Sequence, residues 1–258
     1  MKIGIIGLGF VGSAVKAAHD LVGIETVDVD PYKGLPATIE DAKECDAIYV
    51  CVPSPVGPTG ACDTSILEDV MEQLHDYHHL IISKVTAPPD VYRKLHAKNL
   101  NLVHAPEFLV AATATEDYIN GTYAIIGGVE PYSTRAEAVI TAAQRKVNTV
   151  TKIGIAEASL TKYAINTFLA TKVIFMNELK ALADASKINY DVVKETIQLD
   201  ERQGNSHFDV PGPDGYFGFG GACFPKDTSA LLKYAESVDV NLSVLDAAVN
   251  KNKIIRNG

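Results

Sequence analysis

The sequence has little of what most directly marks a chain for nucleic acid, membrane or metal. Basic residues are outnumbered, 23 against 32 acidic, for a formal net charge of −9 over 258 residues. That balance argues against a general nucleic-acid surface and leaves room only for a local anion site. No apolar run approaches the roughly twenty residues of a membrane span, so no membrane partner is expected. The four cysteines, Cys45, Cys51, Cys62 and Cys223, show no CxxC spacing, and the histidines are scattered, His78 and His79 pointing apart on a helix end. No metal is expected, and a reducing compartment would keep the cysteines as thiols. No repeat or low-complexity linker breaks the chain. The opening MKIGIIGLG starts a strand at once rather than a signal peptide, which makes a cytoplasmic location the expectation.

A hydrophobic fraction of 47% is ordinary for a globular protein and allows one large domain or two smaller ones. The apolar strand KIGII runs directly into GLGFVG, placing Gly7, Gly9 and Gly12 in G-x-G-x-x-G spacing. A helix over 13–21 and a strand ETVDVD ending on Asp30 follow. Each part has a task in dinucleotide binding. Gly7 permits the tight turn, Gly9 lets a pyrophosphate approach the backbone, and Gly12 lets helix and strand pack closely. The helix start offers unpaired N–H groups. Asp30 is placed to accept from ribose hydroxyls and to repel a 2′-phosphate, which favours NAD over NADP, although Lys33 lies close by. The competing reading is a glycine-rich turn in a fold without cofactor.

Further apolar runs, AIYVCVPSP, LIISKVTAPP, LNLVHAPEF and TYAIIGG, alternate with helical stretches. The pattern predicts a Rossmann-like parallel sheet over 1–152, with sites at the carboxyl ends of its strands. From about 155 the pattern becomes helical, and 153–258 is expected to be an all-helical domain. Leu160, Ala164, Phe168, Val173 and Leu179 recur at helical spacing. Lys162 and Asn166, four apart on one face, read from periodicity as solvated. The segment from Glu201 to Gly221 carries six glycines and two prolines, and such a long irregular loop is usually functional or mobile. Cys223 follows it, with Lys226 and Asp227 one turn on. By itself a cysteine there is equally a small buried hydrophobe, and Glu107 equally a surface acid at a strand end.

Taken together, GLGFVG, CVPSPVGPTGACD, SKVTAPP, APEFL, LTKYAINTFLATKVIFMNEL, DERQGNSHF and GFGGACFPKD resemble the UDP-glucose/GDP-mannose dehydrogenases over nearly the whole chain. The resemblance implies NAD-dependent oxidation of the C6 alcohol of a nucleotide sugar to the uronic acid, using two NAD molecules in sequence. It makes Cys223 the nucleophile that captures the intermediate aldehyde as a thiohemiacetal, later a thioester that water cleaves. It assigns oxyanion support to Lys162, water and oxyanion binding to Asn166, and proton transfer to Asp227. Thr86 would place the water and Glu107 would assist hydrolysis. It puts Phe10, Val11, Lys33, Pro53, Thr86 and Lys226 with the glycines and Asp30 around NAD. It puts Phe108, Leu109, Arg202, Phe217 and Gly220 against the substrate, with a surface salt bridge the other reading of Arg202.

Two departures qualify it. Where the family reads PEFLREG or PEFLAEG this chain reads PEFLVAA, with Val110 and Ala111 in place of an arginine and a second glutamate. The sequence also stops where the family's nucleotide-gripping C-terminal domain would follow, and is expected to be either a naturally short form or a fragment. Weak substrate affinity is therefore expected, unless a smaller substrate or a partner subunit compensates. The alternative is an NAD-binding homologue that stops at the aldehyde, uses a smaller substrate, or serves as a subunit of a larger assembly. A 3-hydroxyacid dehydrogenase shares the glycine motif and the helical lysine but has no need of Cys223. The family's long central helices form its dimer core, so a homodimer is expected.

Overall fold

The computed structural model describes residues 1–257. In chain order its elements are β1 (Lys2–Ile6), α1 (Phe10–Leu21), β2 (Glu25–Val29), α2 (Ile39–Ala42), β3 (Ala47–Val50), α3 (Ser65–Gln73), β4 (Leu80–Ser83), α4 (Pro89–Lys98), β5 (Leu102–His104), α5 (Ala114–Asn120), β6 (Tyr123–Gly127), α6 (Tyr132–Ala143) and β7 (Thr149–Ile153). The helices α7 (Ile155–Ala185), α8 (Tyr190–Ile197), α9 (Phe224–Ser237) and α10 (Ser243–Asn257) complete it. The chain divides into two compact units, Met1–Pro55 with Cys62–Lys162, and Val56–Ala61 with Tyr163–Gly258. The division falls inside α7.

In the first unit the seven strands form one sheet in the order β2-β1-β3-β4-β5-β6-β7. Strand alternation feeds two cores. Ala47 and Tyr49 of β3 enter the cluster with Val15, Ala18 and Tyr118, while Ile48 and Val50 enter the one with Leu67, Leu74 and Tyr92. An apolar side chain at every position is what a strand covered on both faces requires. Local signals set the helix starts, such as the Thr38–Asp41 capping box of α2 and Pro89 opening α4.

The sheet is mixed, not wholly parallel. β6 pairs antiparallel with β5 through His104 and Gly127, and β7 then runs parallel to β6. The connection explains it. The α-helix between these strands, α5, has seven residues, about 10 Å of rise, too little to return the chain to the far end of the sheet for a parallel crossover.

The second unit is helix-rich. Ala170 and Ile174 of α7, Phe219 and Ala248 of α10 form its buried cluster, and the Ser229 hydroxyl donates to the Gly60 carbonyl at 2.7 Å, tying in the 56–61 segment. α7 inverts the periodicity reading. Lys162 and Asn166 are 3% and 7% exposed, while Phe168 is 69% exposed and Leu160 47%. The polar pair is the buried one because each member has partners inside its own unit, which offset the cost of burying it. Among the described residues no helix is long and apolar enough to cross a membrane.

Candidate active site

The glycine turn fits a dinucleotide. Gly7 sits at φ +88, and a Cβ on Gly12 would lie 1.9 Å from the Gly7 carbonyl oxygen, so both positions need glycine. A Cβ on Gly9 would meet nothing within 4 Å, leaving open space at the start of α1. No side chain caps that helix, so its first N–H groups are available to a phosphate. Asp30 is only 8% exposed. Its carboxylate accepts from Leu8 N at 2.8 Å, Tyr32 N at 3.1 Å and Lys33 N at 3.3 Å. The acid therefore locks the glycine turn to the end of β2, a role its sequence position did not reveal. Val11 is half-buried, while Phe10, Lys33 and Pro53 are exposed around this end of the sheet.

At the β4 and β5 ends stand Thr86 and Glu107. The Thr86 carbonyl accepts from the Ser54 hydroxyl at 2.7 Å and the Cys62 thiol at 3.5 Å, so CVPSPVGPTGACD holds the backbone of SKVTAPP. The Lys162 ammonium donates to the Glu107 carbonyl, lies 3.4 Å from its Oε1 and 5.0 Å from the Phe108 ring. Glu107 Oε2 accepts from Leu109 N at 2.7 Å. A lysine and a glutamate almost removed from solvent are costly unless paired, and each is the other's partner here. Phe108 and Leu109 are half-buried and, with Glu107, Lys84 and Tyr118, line a cavity of about 130 Å³ in this unit. Val110 and Ala111 are exposed.

Lys84 is the residue of this region that the sequence reading left unassigned. It lies in SKVTAPP, is 7% exposed, and its ammonium stands 5.4 Å from the Tyr118 ring centre. Burial pushes it down from the ordinary lysine value of 10.5 to about 8. The native state thus binds fewer protons than the unfolded chain between pH 8 and 10.5, and in that window this group makes stability rise with pH. Below it the burial cost is fully present. Lys84→Met is expected to raise the Tm at pH 7, with the gain over wild type shrinking as the pH rises from about 8 to 10.5. A gap constant across that range in thermal melts would sink the assignment.

In the second unit Asp227 is 1% exposed. Its Oδ2 accepts from Asn166 Nδ2 at 2.6 Å and its Oδ1 from Lys226 Nζ at 2.6 Å. α9 starts at Phe224, which makes Cys223 its N-cap residue. The thiol is half-buried at the positive end of a helix, where developing negative charge is favoured. Gly220 is half-buried and Phe217 exposed. Arg202 is exposed, its Nε 2.8 Å from Asp200 Oδ1. The predicted residues thus assemble into two sets, Lys162 with Glu107 in one unit and Asn166 with Asp227 and Lys226 in the other, and α7 carries a member of each.

Comparison with known proteins identifies the family. The NAD-binding domain of the UDP-glucose/GDP-mannose dehydrogenase family matches residues 33–147, and the central domain of that family matches 156–254. The putative UDP-glucose 6-dehydrogenase YtcA of Bacillus subtilis is 30% identical over 98% of this chain and 67% of its own length. The UDP-glucose 6-dehydrogenase AglM of Haloferax volcanii is 27% identical over 98% and 69%. A UDP-glucose dehydrogenase structure from Pyrobaculum islandicum superposes with a TM-score of 0.83 at 26% identity, covering 98% of this chain and 68% of its own. A fold of the same kind, at 18% identity and a TM-score of 0.79, occurs in a 3-hydroxyisobutyrate dehydrogenase of Mycobacterium tuberculosis. The chain belongs to the UDP-glucose/GDP-mannose dehydrogenase family, a family of NAD-dependent oxidoreductases, and carries its NAD-binding domain. It spans about two thirds of the length of the three UDP-glucose dehydrogenase relatives named above.

Proposed function

We propose that this protein oxidises the C6 alcohol of a nucleotide sugar in two steps, the second through a covalent bond to Cys223. The observation that supports it most is the burial of Lys162 and Asn166 on one helix, each against a carboxylate-bearing partner, where the sequence pattern alone gives a wet face. NAD, when bound at the glycine turn, supplies the hydride acceptor for each oxidation. Lys162 holds the developing alkoxide by charge, in a setting of low exposure where that is worth most. The Cys223 sulfur adds to the aldehyde carbon, and the carbonyl oxygen takes a proton to give the thiohemiacetal. Loss of hydride and of that proton leaves the thioester, and water, activated by Asp227, releases the acid and restores the thiol. Thr86 and Glu107 serve the water-handling step in this reading. Phe108, Leu109, Arg202, Phe217 and Gly220 contact the substrate, and Phe10, Val11, Asp30, Lys33, Pro53 and Lys226 surround the cofactor.

A panel of UDP-, GDP- and TDP-sugars at high enzyme concentration tests the reading. Two NADH per acid formed is the expected stoichiometry, and no turnover on any of them would overturn it. The second reading, a homologue that stops at the aldehyde, takes a smaller substrate or works within a larger assembly, has the more direct support. The comparisons reach the family and its two matched domains, and Ala111 stands where the family has an acid. One NADH per aldehyde released is its signature.

Dimerisation is part of the proposal. Phe168, Phe175 and Leu182 recur every seventh residue along α7 and are 69%, 60% and 61% exposed, a seam of the kind that packs against another helix. Sedimentation at micromolar protein is expected to show a dimer, and a monomer alone would refute this.

A further inference from the structure

We propose that Asn252 of α10 is a positioning residue for the thiol, acting by clamping the backbone that leads into Cys223. The inference rests on the reading of Cys223 as the nucleophile. The segment before the thiol is exposed from Pro213 to Phe217 and again at Gly221, yet Gly218 and Phe219 are buried. What buries them is a set of side chains aimed at main-chain atoms. Asn252 Oδ1 accepts from Phe219 N at 2.8 Å and its Nδ2 donates to Phe219 O at 3.0 Å, so one amide holds both polar groups of one residue. Asn177 of α7 accepts from Gly218 N at 2.9 Å through its Oδ1. Arg256 of α10 donates to Gly218 O at 3.1 Å and to Asp214 Oδ2 at 2.7 Å.

The clamp lies close against the glycines, and at Gly218 the positive φ favours glycine in its own right. Gly218 has φ +73, and a Cβ there would lie 2.4 Å from Asn252 Oδ1; a Cβ on Gly220 would lie 2.9 Å from an Arg256 nitrogen. The glycines of GFGG therefore make room for the clamp as well as bending the chain. The clamp also reaches the thiol. The Phe219 ring, packed with Ala170, Ile174 and Ala248, meets the Phe224 ring edge-on with centroids 6.2 Å apart. Residues 219 to 224 thus form a short loop closed by two rings, with Cys223 inside it. Fixing Phe219 fixes one end of that loop, and α9 fixes the other. A thiol that must meet an aldehyde carbon within a few tenths of an ångström needs such a frame.

Backbone amide exchange and alkylation of Cys223 by iodoacetamide test this on the full chain without any substrate. In the wild type, the Gly218 and Phe219 amides are expected to exchange at least about tenfold more slowly than those of Phe217 and Gly221. Asn252→Ala is expected to remove that protection at Phe219 and to speed Cys223 alkylation by at least about threefold, with Asn252→Asp, which keeps the acceptor, in between. Wild-type protection no greater at 218–219 than at the flanking residues overturns the clamp even if no variant folds. An alkylation rate within about twofold of wild type in folded Asn252→Ala overturns its action on the thiol. The reading of Cys223 as nucleophile fails separately, by acid formation that survives loss of the thiol.

Discussion

Cys223→Ser is expected to lower acid formation by about 10³-fold or more while leaving oxidation of the alcohol to the aldehyde largely intact. A serine hydroxyl occupies the same N-cap position but is a far poorer nucleophile without a base to activate it. The alcohol-to-aldehyde step asks nothing of the sulfur. It needs NAD as hydride acceptor, together with a base and support for the alkoxide, which the proposed mechanism assigns to Lys162, Asn166 and Asp227. The variant should therefore release aldehyde, trapped as a hydrazone, with one NADH for each. The same measurement on the wild type decides between the two readings of the function, because a protein that already stops at the aldehyde would not change its product. Acid formed by Cys223→Ser at the wild-type rate would remove the covalent step from the mechanism.

Lys162→Ala is expected to cost both activity and stability. Loss of the buried charge to which the proposed mechanism assigns alkoxide support is expected to lower kcat by about 10²- to 10³-fold. Its removal also strands Glu107, whose side chain is 8% exposed, and an uncompensated buried charge costs about 3 kcal/mol. The two losses separate in a double variant. Lys162→Met with Glu107→Gln takes away both charges, so the Tm is expected to recover most of its fall while kcat stays low. Chemical and thermal denaturation beside turnover reads out the pair. Full activity in a stable Lys162→Met protein would show that the ammonium serves the fold and not the reaction.

These two residues also mark how far the sequence could be read. The glycine turn was legible because Gly7, Gly9 and Gly12 answer to local demands, a positive φ at one and close packing at another, which neighbouring residues already fix. The central strands β3 and β4 were legible because each is a nearly unbroken apolar run. Lys162 and Asn166 were legible only through resemblance, since their spacing on a helix is that of an ordinary wet face and the apolar residues around them suggested that the other side was buried. The reversal of β6 was hidden because β-pairing direction depends on how far a connection travels, and α5 shows its length but not its path.

The clamp on Phe219 shows the same limit more sharply. GFGG announces a flexible backbone, and nothing near it in sequence names Asn177 or Asn252, which lie 41 and 33 residues away from the atoms they hold. Asp30, with its three backbone donors, could be placed at the end of β2 but not assigned to the turn it locks.

The sequence by itself determined the dinucleotide turn, the alternation of strand and helix, the long α7 and the family. All of these follow from patterns within a few turns of chain or from motifs that survive as strings. Only the tertiary structure decided which polar side chains are buried and what they meet. Lys162 is paired with Glu107, Asp227 is held between Asn166 and Lys226, and Lys84 is left over the Tyr118 ring. The physical reason is desolvation. Whether a charge in this protein is inert at the surface or held for chemistry depends on the partners that replace its water, and those partners are supplied by segments far away along the chain.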